Sequence, residues 1–112
     1  MEQPDHARAA ADPSAAFDVA MREIYRVAKA EVGYTATRFI QMVAERGGVE
    51  AARHLIQAST PSDGFTTLVL ANRLDLTVEH HLLRPEFDSL FSTEERRIAR
   101  RRLESVSPPG SR

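Results

Sequence analysis

The blocks TATRFIQMVAER (35–46), GVEAARHLIQAS (48–59) and SDGFTTLVLANRLDLTVE (62–79) decide the fold, because each carries its own start and stop signals. In the first, Thr35 is placed to cap a helix whose inward face is Phe39, Ile40 and Val43. Gly47-Gly48 stops that helix, since glycine enters the left-handed conformation without steric cost. The second block restarts at once, with Val49, Ala52, Leu55 and Ile56 on one side, and so short a connection forces an angular helical hairpin. Ser59-Thr60-Pro61-Ser62-Asp63-Gly64 is a concentrated turn signal, and Ser62 or Asp63 is placed to cap a helix burying Phe65, Leu68 and Val69. Asn72 ends it in the left-handed position. Arg73-Leu74-Asp75-Leu76 then reads as a linker that docks its two leucines, and Thr77 restarts a helix through Val78 and Leu82.

Upstream, Asp12-Pro13 is an N-cap followed by proline at the first helical position. Phe17, Met21, Ile24 and Ala28 recur at spacings of four, three and four, so they form one apolar stripe on a helix ending near Gly33, with Tyr25 and Val32 widening it. Downstream, Pro85 kinks the chain or opens a new helix carrying Phe87, Leu90 and Phe91. Ser92 with Glu95 matches a capping box, and the helix that follows has a thin apolar line of Ile98, Leu103 and Val106. No strand-like alternation occurs. The expected fold is all-α, an orthogonal bundle of five or six short helices in a single domain over residues 12–106, flanked by a disordered arm at 1–11 and a disordered tail at 107–112.

Composition agrees with this reading. A chain of 112 residues with 42% hydrophobic and 28% charged residues is the size and balance of one globular domain with one modest core. Cysteine is absent, which removes disulfides and thiolate metal sites. The first sixteen residues lack the pattern of a signal peptide, and no apolar run approaches the ~20 residues of a membrane span, so the expected location is the cytoplasm and no membrane partner is expected. Charge is uneven: residues 1–91 hold nine Lys/Arg against thirteen Asp/Glu, and residues 92–112 hold six against three. The body is mildly acidic and the C-terminal region basic.

Several runs are shared with a short bacterial domain of unknown function. They are Thr37-Arg38-Phe39, Gln41-Met42-Val43, Gly47-Gly48-Val49-Glu50-Ala51-Ala52-Arg53, Ser62-Asp63-Gly64-Phe65-Thr66-Thr67-Leu68, Arg73-Leu74-Asp75-Leu76-Thr77-Val78-Glu79, Pro85-Glu86-Phe87 and Leu90-Phe91. On these motifs the segment from Tyr34 to Leu103 resembles that all-helical domain. It differs at Val69, where the pattern often has tryptophan, at Asn72, where it has glycine, and at His80 and His81, where it has apolar residues. The resemblance implies a helical fold and no particular activity.

Four groups of residues bear on chemistry. Helix-turn-helix motifs join their helices by three or four residues, whereas Ser59 to Asp63 is longer and includes a proline, and the helix that would read DNA begins at Asp63 and holds no Lys or Arg before Arg73. Arg96, Arg97, Arg100, Arg101 and Arg102 form a candidate nucleic-acid-binding cluster that, without interleaved aromatics, can grip a phosphate backbone but not read bases. The plainer reading of that cluster is a solvated helix end offset by Glu94, Glu95 and Glu104. Glu50, His54, Glu79, His80 and His81 lack the spacing of a three-ligand zinc site, and no serine or cysteine nucleophile stands in a catalytic context. Arg38, Gln41, Arg73 and Asp75 are polar residues set within apolar blocks, and are candidate partner-binding residues that also suit backbone satisfaction at helix ends and turns. The expectation is a non-enzymatic protein-interaction or regulatory module with no catalytic, metal or cofactor site, whose partner is another protein. The alternative is a nucleic-acid-associated accessory protein that uses the basic helix.

Overall fold

The fold begins where Asp12 turns the chain. In the computed structural model, which describes residues 12–106, the Asp12 carboxylate accepts the Ser14 N–H at 3.0 Å and Pro13 opens helix α1, Pro13–Val27. The expected arm at 1–11 and the expected tail at 107–112 lie outside the described residues. Helix α1 runs on into a π-helical turn, Ala28–Val32, which closes at Gly33 in the left-handed conformation with φ 79°.

Next come α2 (Thr37–Arg46), α3 (Gly48–Gln57) and α4 (Asp63–Leu70). A 3-10 turn at Leu74–Leu76 leads to α5 (Val78–Leu82), and a 3-10 segment at Pro85–Leu90 leads to α6 (Thr93–Val106). Among the described residues there is no strand, and the architecture is the all-α bundle of short helices that the punctuation predicts.

Helix α1 is the axis on which the others pack. Its stripe of Phe17, Met21, Ile24 and Ala28 is buried, and the Phe17 ring meets Phe87 and Phe91 edge-on with centroids 5.0 and 5.1 Å apart. Val43 of α2, Ala51, Ala52 and Ile56 of α3, and Leu82 of α5 close the same core. The α2–α3 corner is a single residue, Gly47, with φ 90°. Gly48 then donates its N–H to Asp18 Oδ1 at 2.8 Å, so a carboxylate from α1 caps the start of α3. The helices are so close here that a Cβ on Gly48 would lie 2.9 Å from the Asp18 Cα. Gly48 therefore serves helix approach, and Gly47 alone makes the stop.

Other boundaries fall where the sequence places them. Ser62 Oγ accepts from Phe65 N–H at 3.1 Å, and Thr77 Oγ1 accepts from His80 N–H at 3.2 Å. Ser92 and Glu95 exchange both bonds of a capping box, at 2.9 and 3.0 Å. Asn72, with φ 61°, closes α4 in a Schellman arrangement, its N–H on Val69 O and the Arg73 N–H on Leu68 O.

Three expectations are corrected. Thr35 does not cap α2, because its carbonyl accepts the Thr37 N–H at 3.0 Å in a local turn, and the helix starts from Ala36 without a side-chain cap. Val69 is only half-buried and stands outside the group of residues packed on the core. Most consequentially, the inward line of α6 is not apolar residues alone, although Ile98 packs half-buried against the core as expected. Glu95 and Ala99 are buried there and the Arg102 side chain is only 10% exposed, so ionisable groups enter the interior alongside the apolar ones.

Candidate binding cleft

Helix α4 packs chiefly on the 3-10 turn that follows it, which leaves its Phe65 and Leu68 facing α2 across a cleft of about 460 Å³. Phe39 and Met42 of α2 form one wall, Phe65 and Leu68 the other, and Ile24, Leu55 and Val78 contribute from the core side. Tyr34 closes one end: its ring lies over Gly64, where a Cβ would meet the Tyr34 hydroxyl at 3.2 Å. Polar lining comes from Thr35, Thr37 and Arg38 at the start of α2, His54 of α3, and Ser62 and Asp63 at the start of α4. The size is that of a small-molecule site, and the apolar walls are bordered by a substantial polar lining.

Glu79 also lines this cleft, but its carboxylate is engaged from behind. It is buried and accepts from Arg102 Nη1 at 3.2 Å, with side-chain exposures of 3% and 10% for the two partners. Arg102 further donates to the Leu55, Ile56 and Ala58 carbonyls, the last at 2.8 Å, so one guanidinium satisfies the C-terminal end of α3 and fastens α6 to it. Burial pushes the Glu79 carboxyl up from its ordinary value, against the opposing pull of a backbone bond and Arg102. A second buried link repeats the pattern. Glu95 Oε2 accepts from Arg53 at 2.9 Å and from Gln57 at 3.1 Å, while Arg53 reaches Leu90 O. Burial alone would raise the Glu95 carboxyl, but the Ser92 N–H, Arg53 and Gln57 outweigh it and hold it below the usual carboxylate range.

The four candidate partner-binding residues divide. Arg73 and Asp75 bind each other through two bonds of 3.1 and 3.2 Å, and Arg73 also reaches Glu31 at 2.8 Å, joining the turn after α4 to the end of the α1 π-helical turn. The Asp75 carboxyl is accordingly held low by Arg73. Arg38 and Gln41, one turn apart on α2, are exposed and form no hydrogen bond or ion pair with another described residue.

The arginine cluster divides too. Arg102 turns inward, and Arg96 donates to the Asp88 and Phe91 carbonyls, holding the chain that enters α6. Arg97 pairs with Glu94 at 2.6 Å, whereas Arg100 and Arg101 stand exposed and unpaired among the described residues.

The histidines and acids weighed for metal chemistry do not converge: no group of three His, Cys, Asp or Glu among the described residues can hold an ion. Glu50 pairs with Arg53, and His54 and His80 are exposed. His81 places Nε2 at 2.9 Å from Asp75 O and accepts from Arg84 at Nδ1 at 3.0 Å, a neutral ring with its proton on Nε2; burial lowers its basicity. Sequence reasoning missed the cleft and the Glu79–Arg102 link. The available signal was the spacing of Glu95, Ala99 and Arg102 by four and three, which puts them on one helical stripe. No helix among the described residues is long and apolar enough to cross a membrane. No family model matches the chain, and no match is found among curated proteins or solved structures.

Proposed function

We propose that the chain is a small non-enzymatic recognition module of the cytoplasm that docks on another protein through the outer face of α2. The observation that carries this reading is the contrast among its polar residues. Arg53, Arg73, Arg96 and Arg102 are each used to join segments of the fold, whereas Arg38, on the cleft lining, and Gln41, one turn further along α2, are exposed with side chains that have no partner among the described residues. The likeness to the short bacterial helical domain belongs to the same proposal, and its Thr-Arg-Phe and Gln-Met-Val motifs supply Arg38 and Gln41 to this face while Val43 turns into the core.

A photo-crosslinking residue at position 41, used in the native host, should trap a discrete protein. Arg38→Glu should reduce that product at least threefold while thermal unfolding stays within ~2 °C of the parent, since exposed, unpaired positions contribute little to stability. Equal trapping in both proteins would oppose the reading.

A second reading rests on Arg97, Arg100 and Arg101, which share the outward side of α6. Three such contacts would give mixed-sequence duplex binding with a log–log salt slope of about −2 to −3, lost when all three become alanine. A flat gel-shift titration at low salt removes this alternative.

A further inference from the structure

We propose that the cleft between α2 and α4 is a ligand site for a small amphipathic carboxylate, its apolar body lying among Phe39, Met42, Leu55, Phe65 and Leu68 and its acid group meeting Arg38. This goes beyond docking on another protein and does not depend on it.

Size sets the first limit. A cleft of about 460 Å³ falls within the ~300–1,000 Å³ of small-molecule sites, and at ~30 Å³ per water it has room for roughly fifteen water-sized units. An alkyl or aryl acid of about ten to fifteen heavy atoms is on that scale, and a folded macromolecular segment is not.

Charge sets the second. Among the described residues Arg38 is the one arginine that lines the cleft, and it has no acidic partner there. The two acids that line it are differently placed. Glu79 is bound to Arg102, which fixes its carboxylate toward α6. Asp63 occupies the first turn of α4, where the helix dipole favours a negative charge. The unpaired charge that α2 contributes to the lining is therefore positive, with Asp63 at the α4 rim. Placed beside walls of phenylalanine, methionine and leucine, the positive charge selects a molecule with an apolar body and one anionic end.

The third element is a capacity to orient the acid. Thr35 and Thr37 flank Arg38 in sequence and line the same cleft, and the Tyr34 hydroxyl lies against Gly64 at the start of α4, so hydroxyl donors stand at both ends of the polar lining. A neutral ligand of equal size would gain the apolar contacts and lose the charged one. An amine would gain them and meet Arg38 as a like charge.

The test uses the full chain, uniformly 15N-labelled, titrated with octanoate, octanol and octylammonium below their aggregation thresholds and followed by amide shifts. Octanoate should perturb residues of 34–42 and 62–68 in a saturable manner and bind about fivefold more tightly than octanol, the upper range for an exposed ion pair. Octylammonium should bind more weakly than either. Arg38→Gln should equalise octanoate and octanol without changing the unfolding temperature, and Arg38→Lys should restore much of the difference. Shifts scattered over the surface, absence of saturation, equal affinity for the acid and the alcohol, or preference for the ammonium would each overturn the proposal.

Discussion

Arg102→Ala is expected to destabilise the protein by about 3–5 kcal/mol, the range for removing one partner of a buried ion pair. Two losses combine. Glu79 is left with an ionised carboxylate in a site where only 3% of its side chain is exposed, and the Leu55, Ile56 and Ala58 carbonyls lose the donor that ends α3. Urea unfolding followed by circular dichroism measures the change. The charge component has a pH signature. Burial already raises the folded-state affinity of Glu79 for a proton, and without Arg102 it does so with less opposition. For an acid whose folded pKa lies above its unfolded one, the cost of ionisation is absent below the ordinary carboxylate range and grows as pH rises through it. The deficit of Arg102→Ala relative to the parent should therefore shrink on acidification toward pH 4.5, the ordinary value for this group, and widen toward neutrality. Replacing both partners, as Glu79→Leu with Arg102→Met, should recover part of the loss, because no charge is stranded, but not all, because the three carbonyls stay unserved.

Phe17→Ala is expected to cost a similar ~3–5 kcal/mol for a different reason. Phe17 is fully buried, and its ring is the common edge-on neighbour of Phe87 and Phe91, so its removal opens a void where α1 meets the segment leading into α6. Val19→Ala on the same helix is the control. With Val19 66% exposed, the change should stay within ~0.5 kcal/mol. Parallel urea melts separate burial from helix propensity, since both substitutions bring in the better helix former. Equal effects would mean that α1 is not the packing axis.

Local signals made the helix boundaries legible. Asp12, Ser62, Thr77, and Ser92 with Glu95 each carry a hydroxyl or carboxylate at the position where the backbone needs an acceptor, and each does so in the structure. The stripe of Phe17, Met21, Ile24 and Ala28 was equally plain, because a period near 3.6 is visible in one helix alone. Thr35 failed because a capping residue is defined by where the helix starts, and a turn through its own carbonyl moved that start to Thr37.

The interior ion pairs were hidden for another reason. Arg102 lies 23 residues from Glu79 and 46 from Ile56, and no spacing rule connects residues that only the tertiary fold brings together. Charged residues read as solvated unless their partners are known. The cleft was hidden too, since a concavity arises from the way α4 leans away from α2 and has no signature in either helix. Arg38 and Gln41 were legible as candidates, but only the engagement of Arg73 and Asp75 with each other separates the two pairs.

The structure divides the arginines: Arg102 and its like hold the fold, and Arg38 is exposed with no partner among the described residues, which leaves it free for the recognition role proposed above. Thermal unfolding of Arg38→Gln and Arg102→Gln, side by side at neutral pH, tests that division most directly. The expected result is a midpoint lowered by more than ~10 °C for Arg102→Gln and changed by less than ~2 °C for Arg38→Gln. Equal midpoints for the two variants, or an early transition in Arg38→Gln, would contradict it.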